Sequence, residues 1–222
     1  MHIWRGFMEQ SPMYDKYEFN RQFERKSKIT DPGIYIIACE GTKDEPGYIK
    51  EFVKKKRIRA KVFIAQREEG DHGSNPWHVY EILKTSMADL SISSKNKSIH
   101  YWIMVDRDKD RLKELREVKE QCDAEGVSIA YSSPCVELWF LLHYKELSSL
   151  SKKVLTKLLT PKNMKKHLKR NCIDIGKGFS EILPLTDIAI DRARSIDKPH
   201  IDFPEDFCTR VYRLVQELLS FD

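Results

Sequence analysis

Three acids spaced two apart, Asp106, Asp108 and Asp110, close the stretch IHYWIMVDRDKD (Ile99 to Asp110). The run before them is apolar and β-rich, so it reads as a buried strand delivering carboxylates to its exposed end. Closely spaced carboxylates repel one another unless a cation or a proton neutralises them, and oxygen donors of this kind suit a hard divalent ion. A second acid, Glu40, ends another apolar run, IYIIACE (Ile34 to Glu40), which follows the turn Asp31-Pro32-Gly33. Two acidic strand ends on one sheet would face one crevice, because ligands of open α/β sheets bind beyond the carboxyl ends of the strands. Glu40, Asp106 and Asp108 are therefore the candidate metal-binding and catalytic acids. The loop Thr42 to Gly47 carries two more acids, Asp44 and Glu45, whereas Asp110 suits the start of the following helix, whose N-terminus favours negative charge.

Other uses of such a cluster differ in context. The calcium loop of an EF-hand places acids at its positions one, three, five and twelve, as Asp106, Asp108, Asp110 and Glu117 do. Its sixth position needs Gly where this chain has Arg111, and a helix precedes it where this chain has a strand. A HAD-like phosphatase with an aspartyl nucleophile also carries DxD after a strand, but with Thr or Val where Asp110 stands; it is the weaker alternative. Glu137 and His143, in the apolar segment CVELWFLLHY, are six residues apart and differ by about 120° around a helix, so they do not form a pair on one face. A buried Glu needs a cation or a basic partner, and a lone His in such a helix is more often a core group.

The elements that would position these acids alternate. Strands are expected at Ile34 to Glu40, Lys61 to Gln66, Ile99 to Asp106 and Val127 to Tyr131. Between them come helices from about Tyr48 to Arg57, Trp77 to about Leu90, and Arg111 to about Glu125, the last closed by Gly126. Near-continuous apolar strands alternating with helices argue for a doubly wound, mainly parallel four-stranded α/β sheet flanked by helices. A buried helix carrying Glu137 follows, then a basic helical C-terminal extension, and a last helix introduced by Asp202-Phe203-Pro204. The expected organisation is an N-terminal arm at 1–30, a core at 31–145 and a basic helical region at 146–222 packed on it.

Of the 222 residues, 41% are apolar and 33% charged, enough for a core and too apolar for disorder as the default. The net charge of +5 is modest, but the basic residues cluster. Lys54, Lys55, Lys56 and Arg57 form one run, and Lys165, Lys166, Lys169 and Arg170 belong to another that begins at Lys152. Either alone reads as a solvated face; both beside an acid site point to a phosphate-backbone track, with RNA and DNA equally open. Five scattered cysteines without a CxxC pair indicate neither a zinc site nor a disulfide framework. With no apolar run long enough for a membrane span and no signal-like N-terminus, a cytoplasmic protein is expected.

Glu40-Gly41 at one strand end and Asp106-x-Asp108 at a later one resemble the Toprim fold of topoisomerases, primases and nucleases linked to phage defence. The segments CEGTKDEPGYIKEF (Cys39 to Phe52), WIMVDRD (Trp102 to Asp108), SSPCVELWFLLH (Ser132 to His143) and IDFPEDFCTRVYRLVQELL resemble the RloB family in particular, across roughly residues 34 to 219. The chain departs from that pattern at Asp44, Ser133 and Val136. The resemblance implies a Toprim-like fold and a nuclease in which Glu40, Asp106 and Asp108, helped by Glu45 or, behind it, Asp44, hold Mg²⁺ or Mn²⁺, with Glu40 alternatively a general base or acid. It further implies an effector of anti-phage defence acting on RNA or DNA beside an ABC- or AAA-type ATPase, with self-association an open point and no membrane partner. The alternative from a different class is a non-catalytic Toprim-like module that binds nucleic acid or protein.

Overall fold

The computed structural model describes residues 33–65, 73, 75–89, 99–107, 109–171 and 178–220. The sequence readings for the arm at 1–30, for Cys172 and for Asp108 lie outside the described residues. Four parallel strands, β1 (Ile34–Cys39), β2 (Lys61–Ile64), β3 (Ile99–Asp106) and β4 (Val127–Ser133), form the sheet. A two-residue strand, β5 (Cys208–Thr209), is added antiparallel to β4, giving the order β2-β1-β3-β4-β5.

Every residue of β1 is buried, and the period of two divides its side chains between two cores. Tyr35, Ile37 and Cys39 join Trp102, Met104 and Ala130 on one face. Ile34, Ile36 and Ala38 join Ile103, Val105 and Tyr131 on the other. The first face is covered by α1 (Asp44–Lys56), α4 (Glu137–Tyr144), α6 (Pro161–Asn171), α7 (Thr186–Ile196) and α8 (Val211–Leu219). The second is covered by α2 (Pro76–Asp89) and α3 (Leu112–Glu125), the latter through Leu115, Val118 and Cys122 at helical spacing. A short helix, α5 (Lys152–Leu158), precedes α6. Helices on both faces of a mainly parallel sheet make a doubly wound α/β fold, consistent with a Toprim-like core and C-terminal helices.

The winding has one reversal. From β1 the chain crosses by α1 to β2 on one side, then by α2 on the opposite face to β3 on the other side. The strand order therefore switches between β1 and β3, where the carboxyl ends of two neighbouring strands diverge and leave a crevice. The register places Cys39 beside Met104, so Glu40 and Asp106 flank that crevice.

Three boundaries differ from the sequence reading. Helix α1 begins at Asp44, not near Tyr48, because Pro46 lacks an N–H that the first helical turn does not use. Asp110 lies exposed in a 3₁₀ turn (Lys109–Arg111), and the residue that caps α3 is Arg111, with no side-chain capping bond. The last helix starts at Val211, since Cys208 and Thr209 first pair with Ser133 and Ser132 and the Arg210 N–H reaches the Tyr131 carbonyl. The loop before β5 is held by Arg210, whose guanidinium bonds Asp197 and the carbonyls of Lys198, Ile201 and Asp202. Among the described residues Cys39, Cys122, Cys135 and Cys208 are buried free thiols, and no helix is long and apolar enough to cross a membrane.

Candidate active site at the switch point

Glu40 directly follows β1 and Asp106 ends β3. The Glu40 N–H continues the ladder to the Met104 carbonyl at 2.9 Å, and its side chain turns to accept the Asp106 N–H at Oε2, 2.8 Å away. Side chain and strand end are thus tied together across the crevice. Glu45 arrives from the first turn of α1. It is buried, and its Oε1 accepts the Gly41 N–H at 3.1 Å. Glycine at 41 is a matter of close approach: a Cβ there would stand 2.6 Å from Glu45 Cδ. Asp44, one residue earlier, is half-exposed at the same edge.

The fourth acid comes from β4. After Ser133 the chain turns through a cis Ser133–Pro134 bond into α4, whose first residue is Glu137, only 2% exposed. The N-termini of α1 and α4 both point at this edge, and their partial positive charge favours Glu45 and Glu137 there. Lys165 of α6 reaches over, with Nζ 3.3 Å from Glu137 Oε1; Glu137 Oε2 is buried without a hydrogen-bond partner among the described residues.

The electrostatics follow from this crowding. Burial, then the charges of Glu45, Glu40 and Glu137, push the Asp106 carboxyl well above the usual carboxylate range, against the opposing pull of Lys165. Burial also raises Glu45, with Glu137 and Asp44 adding to it and its backbone hydrogen bonds opposing. Asp44 is raised by burial and by Glu137. Four elements thus bring mutually repelling carboxyls together, and they would gain from a shared cation.

The donor set fits a hard divalent ion. It is made of carboxylate oxygens, one of them an orphaned buried atom of Glu137, as Mg²⁺ and Mn²⁺ prefer. Glu40, Glu45 and Asp106 would hold it, with Glu137 adjoining. Among the described residues no three His, Cys, Asp or Glu side chains already form a ligand cage. One oxygen each of Glu40, Glu45 and Glu137 is engaged by a backbone N–H or by Lys165 instead.

Residues 35–218 match the family model described as RloB-like protein. The chain belongs to the RloB-like family. No curated protein and no solved structure matches it. The match spans β1 through most of α8 in this RloB-like chain, and so includes every residue of the switch-point site.

The remaining sequence candidates fall into two groups. His143 sits two turns along α4 inside the aromatic core, between Tyr48 and Trp139, its Nδ1 on the Trp139 carbonyl at 2.9 Å. Burial lowers its pKa to about 4, so at neutral pH it is an uncharged core group remote in role from Glu137. The two basic runs part company. Helix α1 starts at the acidic edge and runs back along the sheet, so Lys54, Lys55, Lys56 and Arg57 lie at its far end, about 14–18 Å from Glu45 by helical rise. Helix α6 packs on α4, anchored by buried Met164 and Leu168; it displays Lys166, Lys169 and Arg170 outward, while Lys165 turns its ammonium to Glu137. Lys165 was readable only as one basic residue among many; a lysine's partner is not written in its neighbours. Gly41 carried a usable signal, since glycine right after a strand-end acid often marks a close approach.

Proposed function

We propose that this RloB-like chain is a Mg²⁺- or Mn²⁺-dependent nuclease hydrolysing phosphodiester bonds of RNA or DNA. The observation that carries the reading is the meeting of Glu40, Glu45, Asp106 and Glu137 at the sheet's switch point, directly beside the basic helix α6. When bound there, a divalent cation neutralises developing phosphate charge and makes a nucleophile of water near neutral pH. The chain supplies the rest. Asp106 and Glu45 present carboxyl oxygens from fixed backbone positions. Glu40, half-exposed and accepting the Asp106 N–H, either shares the cation with them or, unligated, takes a proton from the attacking water. Lys166, Lys169 and Arg170 of α6 offer cations to the phosphates flanking the reacting one. Action as an effector of anti-phage defence with an ATPase partner follows from the family resemblance, and an ATPase gene beside this one is the observation that would support it.

The test is incubation of the purified chain with tRNA, single-stranded RNA and plasmid in Mg²⁺, Mn²⁺ or EDTA. Cleavage is expected only with metal and is expected to fall by at least about a hundredfold in Asp106→Ala. Cleavage that persists in EDTA, or that survives this substitution, refutes the mechanism. Salt-sensitive binding without cleavage, unchanged or strengthened by Asp106→Ala, is the result expected of a non-catalytic nucleic-acid-binding module.

A further inference from the structure

Lys165 stands apart from the other cations of α6. Its side chain is 60% exposed as a whole, yet its ammonium stands beside a carboxylate that is 2% exposed. The separation of 3.3 Å exceeds the 2.7–2.9 Å or so of a tight charge-assisted bond, so the group is held by charge more than by a fixed geometry. The same ammonium acts on Asp44, on Asp106 and on the buried Cys135 thiol, and so is a cation of the whole acidic edge. Glu137 keeps its second oxygen buried and, among the described residues, without a hydrogen-bond partner. A deeply buried carboxylate is therefore neutralised on one side by a long, movable side chain and left short of a partner on the other.

We propose that Lys165 is an internal counter-ion that takes the electrostatic place of the divalent cation at Glu137, so that the Lys165–Glu137 ion pair and cation binding exclude one another. The inference rests on the metal-dependent reading of the site. When a cation enters, the repelled ammonium leaves Glu137 and swings to the outer face of α6, joining Lys166, Lys169 and Arg170. Filling the acid site thereby adds a positive charge to the surface that faces a polyanion. By linkage, a polyanion that holds Lys165 outward tightens cation binding by the same factor.

The experiment uses the full chain stripped of metal and titrated with Mn²⁺ at neutral pH, free Mn²⁺ being read by electron paramagnetic resonance. Wild type is compared with Lys165→Gln and with Lys153→Gln, which removes one exposed charge from the neighbouring α5. Lys165→Gln is expected to bind Mn²⁺ about tenfold more tightly, because the entering cation no longer has to break an ion pair to a buried carboxylate. Lys153→Gln is expected to stay within about twofold of wild type, as charges farther away are screened. If wild type binds Mn²⁺ and Lys165→Gln binds no more tightly than Lys153→Gln, the counter-ion role is overturned while the metal site stands. If none of the three binds Mn²⁺, the proposed function falls with it. Circular dichroism of each protein confirms that a folded chain is being titrated.

Discussion

Gly41→Ala separates the site from the fold. A Cβ at 41 would lie 2.6 Å from Glu45 Cδ, well inside van der Waals contact, so one of the two must move. The colliding atoms are the far end of a flexible side chain and not backbone, and position 41 has no left-handed φ that alanine would resist. The inexpensive response is for Glu45 to swing out, giving up its bond from the Gly41 N–H. Losing a hydrogen bond to a charged acceptor costs about 1.5–3 kcal/mol, but relief of a carboxylate raised by burial and by Glu137 offsets much of it. The net change is then about 1 kcal/mol, a fall in Tm of about 2–4 °C. The site suffers more, for it loses one of its acids, and Mn²⁺ affinity is expected to drop about tenfold. Thermal unfolding in EDTA and Mn²⁺ titration of the same samples measure both quantities. Wild-type Mn²⁺ affinity in the variant refutes the placement of Glu45. A Tm loss above about 10 °C shows instead that the backbone absorbs the collision.

Asp106→Asn tests the repulsion among the acids. Because burial and its acidic neighbours raise Asp106 in the folded state, the native protein binds more protons than the unfolded chain between the ordinary Asp pKa of about 4 and the raised value. Stability of the metal-free protein therefore falls as pH rises through that window. The Asn variant is expected to be the more stable protein above the window and to lose its advantage toward about pH 4. Denaturant unfolding in EDTA across pH checks this, and a difference independent of pH contradicts it. The two basic runs make a matched pair: replacing Lys166, Lys169 and Arg170 by Gln is expected to lower the salt slope of nucleic-acid binding by about 2–3, at about 0.7–0.9 per lost phosphate contact. Replacing Lys54, Lys55 and Lys56 at the far edge should leave the slope near that of wild type, and equal effects of the two triples would remove α6 from the interface.

The sequence was most readable where one element carried its own pattern. Strand β3 runs from Ile99 to Asp106 as its apolar composition indicates, and Gly126 adopts φ 70° at the end of α3, the left-handed stop that glycine permits. Proximity in sequence misled twice. Lys54 to Arg57 follow Glu45 by about ten residues, but a helix carries them across the sheet. Asp44 and Glu45 read as loop because Pro46 and Gly47 adjoin them, whereas a first helical turn accepts both and aims Glu45 at the strand ends. Strand β5, two residues long, has no periodicity to detect. The Lys165–Glu137 pair depends on how α6 docks on α4, a tertiary relation for which one sequence holds no pattern.

That docking has a bearing on how the protein comes into being. The acidic edge draws on residues 40 and 45, then 106, then 137, and its internal cation arrives only at residue 165. A chain still emerging from the ribosome holds the repelling carboxyls before it holds their counter-charge, and β5 and α8 have yet to close the sheet beyond β4. The completed electrostatic arrangement is thus a late product of synthesis, and a half-made chain presents an unfinished edge.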